Sequence, residues 1–192
     1  RKVSVHVQYP GLAEAPRADL QNAQMLMRMA NALAPGPDAR PAAAELKERV
    51  LDELDYEFEA QNQRAFSRAY RGHPFIYVPD VITRLSRRRV LVSEWVEGHG
   101  FDYVKEQPQE EKDRFGEIVF RFCFGSIYHL QHFNADAHPG NYLALANGRV
   151  AFLDFGMTKH LDQDQIQLEI AALEAIFDDD PERLRVALHD LG

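Results

Sequence analysis

The segment from residue 134 to residue 156, NADAHPGNYLALANGRVAFLDFG, restricts the folds open to this chain more than any other segment. Two short apolar runs within it, residues 142–146 and 150–154, flank an Asn147-Gly148 dipeptide. Such a dipeptide between two strand-like runs is typical of the tight turn of a β-hairpin. Acidic and amide side chains stand before and after the hairpin. The sequence therefore predicts that polar residues from two neighbouring segments converge at one edge.

Three of these polar residues have the chemistry of a magnesium site. Asp136 and Asn141 are five positions apart, and Asp154-Phe155-Gly156 follows the second predicted strand. Carboxylate and amide oxygens are ligands of Mg²⁺, and phosphoryl transfer from a magnesium nucleotide depends mainly on positioning the metal and the acceptor. A D-x-x-x-x-N pair or a DFG tripeptide alone carries little weight, but here both occur in order on suitable elements. We interpret Asp136 as the residue that orients the acceptor, and Asn141 and Asp154 as metal ligands.

Hydrophobic periodicity assigns the rest of the chain to the α+β class. Strands are predicted over residues 3–7, 75–78 and 89–94. Helices are predicted over residues 20–33, 46–59 and 110–132, and two more close the chain, the last beginning at Asp180-Pro181. Phe120, Phe124 and Tyr128 add apolar residues around the helix over residues 110–132, so we expect that helix to be largely buried.

Composition excludes several classes of protein. The formal net charge is −8, which argues against a nucleic-acid-binding protein. The basic cluster over residues 84–89, RLSRRR, is interpreted as a solvated hairpin. A single cysteine, Cys123, excludes an internal disulfide and fits a reducing, cytoplasmic compartment. The longest apolar stretch contains Arg121 and is too short to span a bilayer. The opening residues read as the interior of a strand, so we expect the chain to be part of a longer protein.

Two further segments each leave two interpretations open. The predicted helix over residues 46–59 carries five acids near its end, which read either as a solvated face or as including one acid that pairs a phosphate-binding cation. The run over residues 90–96, VLVSEWV, ends in an acid and is followed by Gly98. It reads equally well as a plain edge strand or as a hinge whose backbone, at Glu94 and Val96, pairs with adenine.

Five motifs together resemble the UbiB/AarF/ADCK atypical kinase family: VQYPG (7–11), ELDYEFEAQN (53–62), SEWVEG (93–98), DAHPGN (136–141) and LDFGM (153–157). The resemblance implies a bilobal protein-kinase-like fold, with a partial N-lobe of few strands over residues 1–98 and a mostly helical C-lobe over residues 99–192. It also implies binding of ATP and Mg²⁺, and kinase or ATPase activity linked to isoprenoid-quinone or lipid metabolism. A lipid or quinone-precursor acceptor and peripheral membrane association of the full-length protein are part of the same expectation.

The resemblance also assigns individual residues. Asp136 matches the catalytic-loop aspartate, and Asn141 and Asp154 match the metal ligands. Glu59 matches the helix glutamate that pairs a phosphate-binding lysine, whose place on the first strand is taken here by His6. Glu53 and Asp55 match the family's E-x-D motif.

Departures from the family pattern support a second interpretation. His6 is a poor substitute for a permanent ammonium group on the nucleotide phosphates. Asn134 replaces a histidine, which predicts the loss of a ring that braces the catalytic loop, and Ala137 replaces a proline. The alternative is thus a catalytically impaired pseudokinase that binds nucleotide or lipid. A third candidate, an aminoglycoside- or choline-type phosphotransferase, predicts a further acid soon after the DFG tripeptide, where Met157 and Thr158 stand instead.

Overall fold

The computed structural model describes residues 2–9, 55–136 and 138–191. The helix predicted over residues 20–33 and the first part of the helix predicted over residues 46–59 lie outside the described residues. Within the described ranges the strands are β1 (Val3–Val7), β2 (Ile76–Tyr77), β3 (Val90–Glu94), β4 (His132–Asn134), β5 (Tyr142–Ala144), β6 (Val150–Phe152) and β7 (Thr158–His160). The helices are α1 (Tyr56–Ala69), α2 (Phe101–Lys105), α3 (Gln109–Tyr128), α4 (Gln163–Phe177) and α5 (Pro181–Leu191), with a 3₁₀ turn at Pro139–Asn141.

The first strand pairs with the third in an antiparallel ladder. Val3 lies opposite Glu94 and His6 lies opposite Leu91. Leu91 and Val92 of β3 are buried, whereas the last three residues of β1, residues 5–7, are exposed. All three predicted strands of this half, β1, β2 and β3, are confirmed, although β2 is shorter than predicted.

Helix α1 begins later than predicted. Asp55 is in an extended conformation, with φ −118° and ψ 94°, and its carboxylate accepts a hydrogen bond from Glu57 N at 2.9 Å. An aspartate that caps backbone N–H groups in this way starts a helix rather than continuing one, so the prediction of one helix running through Asp55 is wrong. From Tyr56 the helix runs to Ala69 and buries Phe66 completely.

The core forms where α3 crosses the β5–β6 hairpin. The Phe122 ring stacks on Phe152 with centroids 3.7 Å apart, and Phe66 packs against Phe122 at 5.7 Å. Burial of each such ring stabilises the fold by about 1.5–3 kcal/mol. The predicted helix is confirmed through Tyr128, but its predicted end is wrong: Gln131 adopts φ 54° and the chain enters β4.

The prediction that α3 is largely buried is also wrong on one face. Phe120 is 60% exposed and Phe124 is 44% exposed. The helix packs along the stripe that contains Phe115, Ile118 and Phe122, so aromatic residues outside this stripe reach solvent. Phe120 and Phe124 pack on each other there, with ring centroids 4.3 Å apart.

The predicted hairpin is confirmed. Strands β5 and β6 pair antiparallel, and β2 joins β6 in a parallel arrangement. Gly148 has φ +75°, which is the left-handed conformation that the turn requires. The antiparallel pairing of β4 with β7 was not predicted, since each strand has only three residues.

The remaining predictions concern surfaces and the closing helices. The basic cluster over residues 84–89 forms a turn closed by a bridge between Arg87 and Val90, and its arginines are exposed. Helices α4 and α5 are confirmed, and the Asp180 carboxylate accepts from Arg183 N at 3.0 Å at the start of α5. Among the described helices, none combines the length and apolar character needed to traverse a bilayer.

Candidate functional site

The loop after β4 brings Asp136 and Asn141 into direct contact. Asn141 Nδ2 donates a hydrogen bond to Asp136 Oδ2 at 2.7 Å, and His138 N donates to Asp136 Oδ1 at 3.1 Å. Gly140 N donates in turn to His138 Nδ1 at 3.0 Å, within the 3₁₀ turn. The segment from Asp136 to Asn141 therefore forms a compact loop. The short 3₁₀ turn within it brings the side chains at its two ends into contact.

Asp154 lies just beyond β6 and borders the same loop. Its Oδ1 atom accepts from Gly156 N at 2.9 Å, so the chain turns sharply after the strand. The preceding residue, Leu153, donates from its backbone N to Asn141 O at 3.0 Å. The hairpin thus carries Asp154 and Asn141 on adjacent strand ends, as the sequence predicted.

Asn134 bridges the two halves of this arrangement. Its Nδ2 donates to Asp154 O at 2.8 Å, and its Oδ1 accepts from Asp136 N at 3.2 Å. The predicted loss of a bracing ring therefore does not leave the loop unbraced, because the Asn134 amide joins it to the Asp154 segment. In the sequence, Asn134 can be recognised only as an amide two residues before Asp136, at the end of an apolar run. This spacing does not reveal that its amide binds the backbone of Asp154.

Helix α1 brings a second carboxylate to Asp154. Glu59 is only 8% exposed. A Cβ atom added at Gly156 would lie 3.4 Å from Asp154 Oδ1 and 3.9 Å from Glu59 Oε2, so the two carboxylates flank this glycine. Burial and, secondly, the Asp154 charge raise the pKa of Glu59 to about 7, against a hydrogen bond from the Phe155 backbone that lowers it.

A further amide of α1 holds the segment after β6. Asn62 is buried and donates from Nδ2 to Phe155 O at 3.2 Å. Sequence reasoning did not single out Asn62, because an asparagine on the polar side of an amphipathic helix is usually solvated. The bond anchors α1 directly to the Asp154 segment.

His6 and Glu59 are not brought together. His6 is exposed on β1, and within the described residues no hydrogen bond or ion pair joins it to Glu59. The pKa of Glu59 is accordingly raised by burial and, secondly, by Asp154, with no basic side chain among the causes. The assignment of His6 to the phosphate-binding position stays a prediction.

The predicted hinge contacts two different parts of the fold: Glu94 binds residues around β2, and Gly98 packs on the hairpin. Glu94 Oε2 accepts from Tyr77 OH at 2.9 Å and from Asp80 N at 3.3 Å, so its side chain is directed to the chain around β2. Val96 is half-buried. A Cβ atom at Gly98 would lie 2.9 Å from Ala144 O, so this glycine packs directly on β5. Adenine pairing by the backbone at Glu94 and Val96 stays a prediction.

The E-x-D motif is described only at its second acid. Asp55 caps α1, and its Oδ2 lies 3.5 Å from Arg88 Nε. Glu53 lies outside the described residues. In the described part of the chain Asp55 therefore has a structural role, and the cofactor-binding role of both acids stays a prediction.

The fold and the arrangement of the loops define a protein-kinase-like domain. A solved structure of Mycobacterium tuberculosis, titled as the complex of Rv3197 with erythromycin, superimposes on this chain with a TM-score of 0.84 at 33% identity, covering 99% of this chain and 48% of that one. The predicted α+β protein-kinase-like fold is thereby confirmed.

The family is identified by sequence as well. Residues 1–188 match the ABC1 atypical kinase-like domain, and the chain belongs to this family. This confirms the resemblance to UbiB/AarF/ADCK kinases.

Similar curated proteins come from bacteria, animals and plants. The chain is 40% identical over 59% of its length to the uncharacterized protein sll0005 of Synechocystis, of which it covers 17%. It is 28% identical over 99% of its length to the mitochondrial atypical kinase COQ8B of Rattus norvegicus, of which it covers 36%. With the chloroplastic ACTIVITY OF BC1 COMPLEX KINASE 3 of Arabidopsis thaliana it shares 32% identity over 84% of its length, and 23% of that protein is covered. The chain thus spans about a sixth to a third of these relatives.

Proposed function

We propose that this domain binds Mg²⁺ and ATP and transfers the terminal phosphoryl group to water or to a small acceptor, of the lipid or quinone-precursor class that the family resemblance implies. The observation that carries this proposal is the direct contact of Asp136 with Asn141, beside an Asp154 that the hairpin places at the end of the adjacent strand. These residues supply two carboxylates and an amide, which is an oxygen-rich donor set suited to Mg²⁺.

The hydrogen bonds indicate which atoms remain for the cation. Asn141 uses its amide nitrogen to bind Asp136, so its Oδ1 atom is the one that can face a metal. Asp154 Oδ1 accepts from Gly156 N, so Oδ2 is the more open of its two oxygens for a metal. The bound metal would supply neutralisation of the nucleotide phosphates.

Asp136 has a different role in this proposal. Its two oxygens are held in place by Asn141 Nδ2 and His138 N, so the carboxylate has a fixed orientation. Each oxygen keeps a lone pair with which to accept a hydrogen bond from an acceptor hydroxyl or a water molecule.

Thermal unfolding tests the proposal. Saturating Mg-ATP at about 100 times Kd stabilises a binding protein by about 2.7 kcal/mol, which raises the Tm of a domain of this size by roughly 5–10 °C. We expect this rise in the parent protein and its loss in Asp154→Asn. The matched control is Asp190→Asn, since Asp190 is an exposed aspartate on α5. Absence of any rise in the parent at millimolar Mg-ATP contradicts the proposal.

A second candidate, a pseudokinase that binds nucleotide without turnover, is favoured by His6. This exposed side chain provides no permanent positive charge on β1, and Glu59 has no basic partner among the described residues. The variant His6→Lys separates the two candidates when ATP hydrolysis and Mg-ATP affinity are both measured. If the pseudokinase alternative holds, His6→Lys tightens Mg-ATP binding and creates no hydrolysis. Hydrolysis that appears in His6→Lys supports a phosphotransferase whose lysine position is impaired.

A further inference from the structure

Asn134 uses both ends of its side-chain amide. The residue is 9% exposed at the end of β4. Its donor end binds the main-chain oxygen of Asp154 at 2.8 Å, and its acceptor end binds the main-chain N–H of Asp136 at 3.2 Å. One buried amide thus joins the backbones of the two aspartates to which the proposed function assigns different roles.

Main-chain bonds also join these loops. Leu153 N donates to Asn141 O at 3.0 Å, and Ala135 N donates to Met157 O at 2.8 Å. These bonds survive any change of side chain. The Asn134 bridge is made by a side chain, so a single substitution removes it while the β4–β7 and β5–β6 ladders keep their backbone pairing.

We infer that Asn134 is a positioning residue that fixes the relative placement of Asp136 and Asp154, and thereby the metal-nucleotide site. The expected effect of Asn134 on nucleotide affinity rests on the proposed function. The bridge itself is present in the fold whether or not that function is correct. Buried amides that satisfy both a donor and an acceptor stabilise one geometry, since an alternative arrangement leaves a buried polar group without a partner.

The chemistry of the amide makes specific variants informative. Leucine matches asparagine in shape but offers neither donor nor acceptor, so Asn134→Leu loses both bonds. Neutral histidine offers one donor and one acceptor, whereas protonated histidine offers two donors. Asn134→His therefore forms the bridge at high pH and cannot accept from Asp136 N–H at low pH. The asparagine bridge does not titrate.

The first experiment measures hydrogen exchange of the Asp136 amide by NMR in the absence of ligands. We expect exchange about tenfold faster or more in Asn134→Leu, because a lost hydrogen bond is equivalent to roughly one order of magnitude. Asn62→Leu is the matched control: it removes a buried amide that binds Phe155 O but does not touch Asp136. The inference is overturned if exchange in Asn134→Leu equals that of the parent, or if Asn62→Leu accelerates it equally.

The second experiment measures affinity for the manganese complex of a non-hydrolysable ATP analogue by titration calorimetry. We expect at least about tenfold weaker binding in Asn134→Leu. In Asn134→His we expect near-parental affinity at pH 8 and, between pH 7 and pH 5.5, a loss larger than that of the parent, in which Glu59 beside Asp154 also titrates. A residue with a purely structural role would lower Tm in both variants without this pH profile.

The two experiments separate failure of this inference from failure of the proposed function. A parent protein that binds no manganese nucleotide contradicts the proposed function. In that case the hydrogen-exchange rate of the Asp136 amide still tests whether Asn134 holds the loop. Faster Asp136 exchange together with unchanged affinity in Asn134→Leu overturns the positioning role.

Discussion

At the scale of single residues, a pair of histidines on the β4–β7 ladder makes the stability of the fold depend on pH. The rings of His132 and His160 stack with centroids 4.0 Å apart across the β4–β7 ladder. His132 is 4% exposed, packs against Phe66, and its Nε2 atom has no hydrogen-bond partner among the described residues. Burial and, secondly, the neighbouring His160 lower the pKa of His132 from 6.5 to about 4.

This lowered pKa predicts the direction of a pH effect on stability. Between the folded value of about 4 and the unfolded value of 6.5, the unfolded chain binds more protons than the folded protein, so stability falls as pH decreases through this window. The contribution of His132 is fully present above pH 6.5. In His132→Phe we expect a shallower loss of urea stability from pH 7 to pH 4.5 than in the parent.

His189 provides the control for this prediction. It is exposed near the end of α5, so His189→Gln should keep the parental slope. A His132→Phe protein whose stability declines with acid as steeply as that of the parent contradicts the assignment.

At the scale of elements, the sequence predicted those helices and strands whose formation depends on residues close together in the chain. The β5–β6 hairpin was predicted because its turn residues and its alternation lie within a dozen positions. The start of α1 was not, because the side chain of Asp55 caps the backbone at a position where helical periodicity continues. Strands β4 and β7 escaped prediction because their pairing is non-local and each supplies three residues.

The start of α1 gives a prediction at this scale. Asp55→Ala removes the hydrogen bond to Glu57 N and should lower the free energy of unfolding by about 1 kcal/mol. Asp55→Asn keeps a good cap and loses only the exposed contact with Arg88, so its stability should match that of the parent within a few tenths of a kcal/mol. Equal destabilisation in the two variants, measured by urea unfolding, would show that charge rather than capping is what matters.

At the scale of the whole molecule, the contact between Asp136 and Asn141 follows from a short spacing in the sequence, whereas the side chains that support this loop bind distant segments. Asp136, Asn141 and Asp154 were singled out because their spacing and order follow the chemistry of a magnesium nucleotide. The bonds of Asn134 and Asn62 were not foreseen, since the carbonyls that they bind lie on segments 20 and 93 residues away in sequence. Glu59 was matched to a basic partner, yet its described neighbour is another acid.

The contact of Gly98, at the end of the predicted N-lobe, with strand β5 gives a prediction for the molecule as a whole. Gly98 packs on the backbone of Ala144 and on the Leu145 side chain, each 2.9 Å from the position of an added Cβ atom. Gly98→Ala should therefore destabilise the protein by about 1–3 kcal/mol, since backbone atoms cannot move aside as a side chain can. Gly100→Ala is the control because nothing lies within 4 Å of its added Cβ. Similar Tm values for the two variants would contradict this packing argument.

The juxtaposition of Glu59 with Asp154 has a consequence for the protein before any ligand arrives. Two carboxylates lie around Gly156, one of them buried, and they repel each other to the extent that Glu59, with its pKa raised to about 7, is ionised; this repulsion acts between α1 and the end of β6. Helix α1 is therefore held to this edge against an opposing force by Asn62 and by the packing of Phe66. If Asp154 holds Mg²⁺ as proposed, the charge of the cation offsets this repulsion, so an occupied site would favour the contact between α1 and the end of β6.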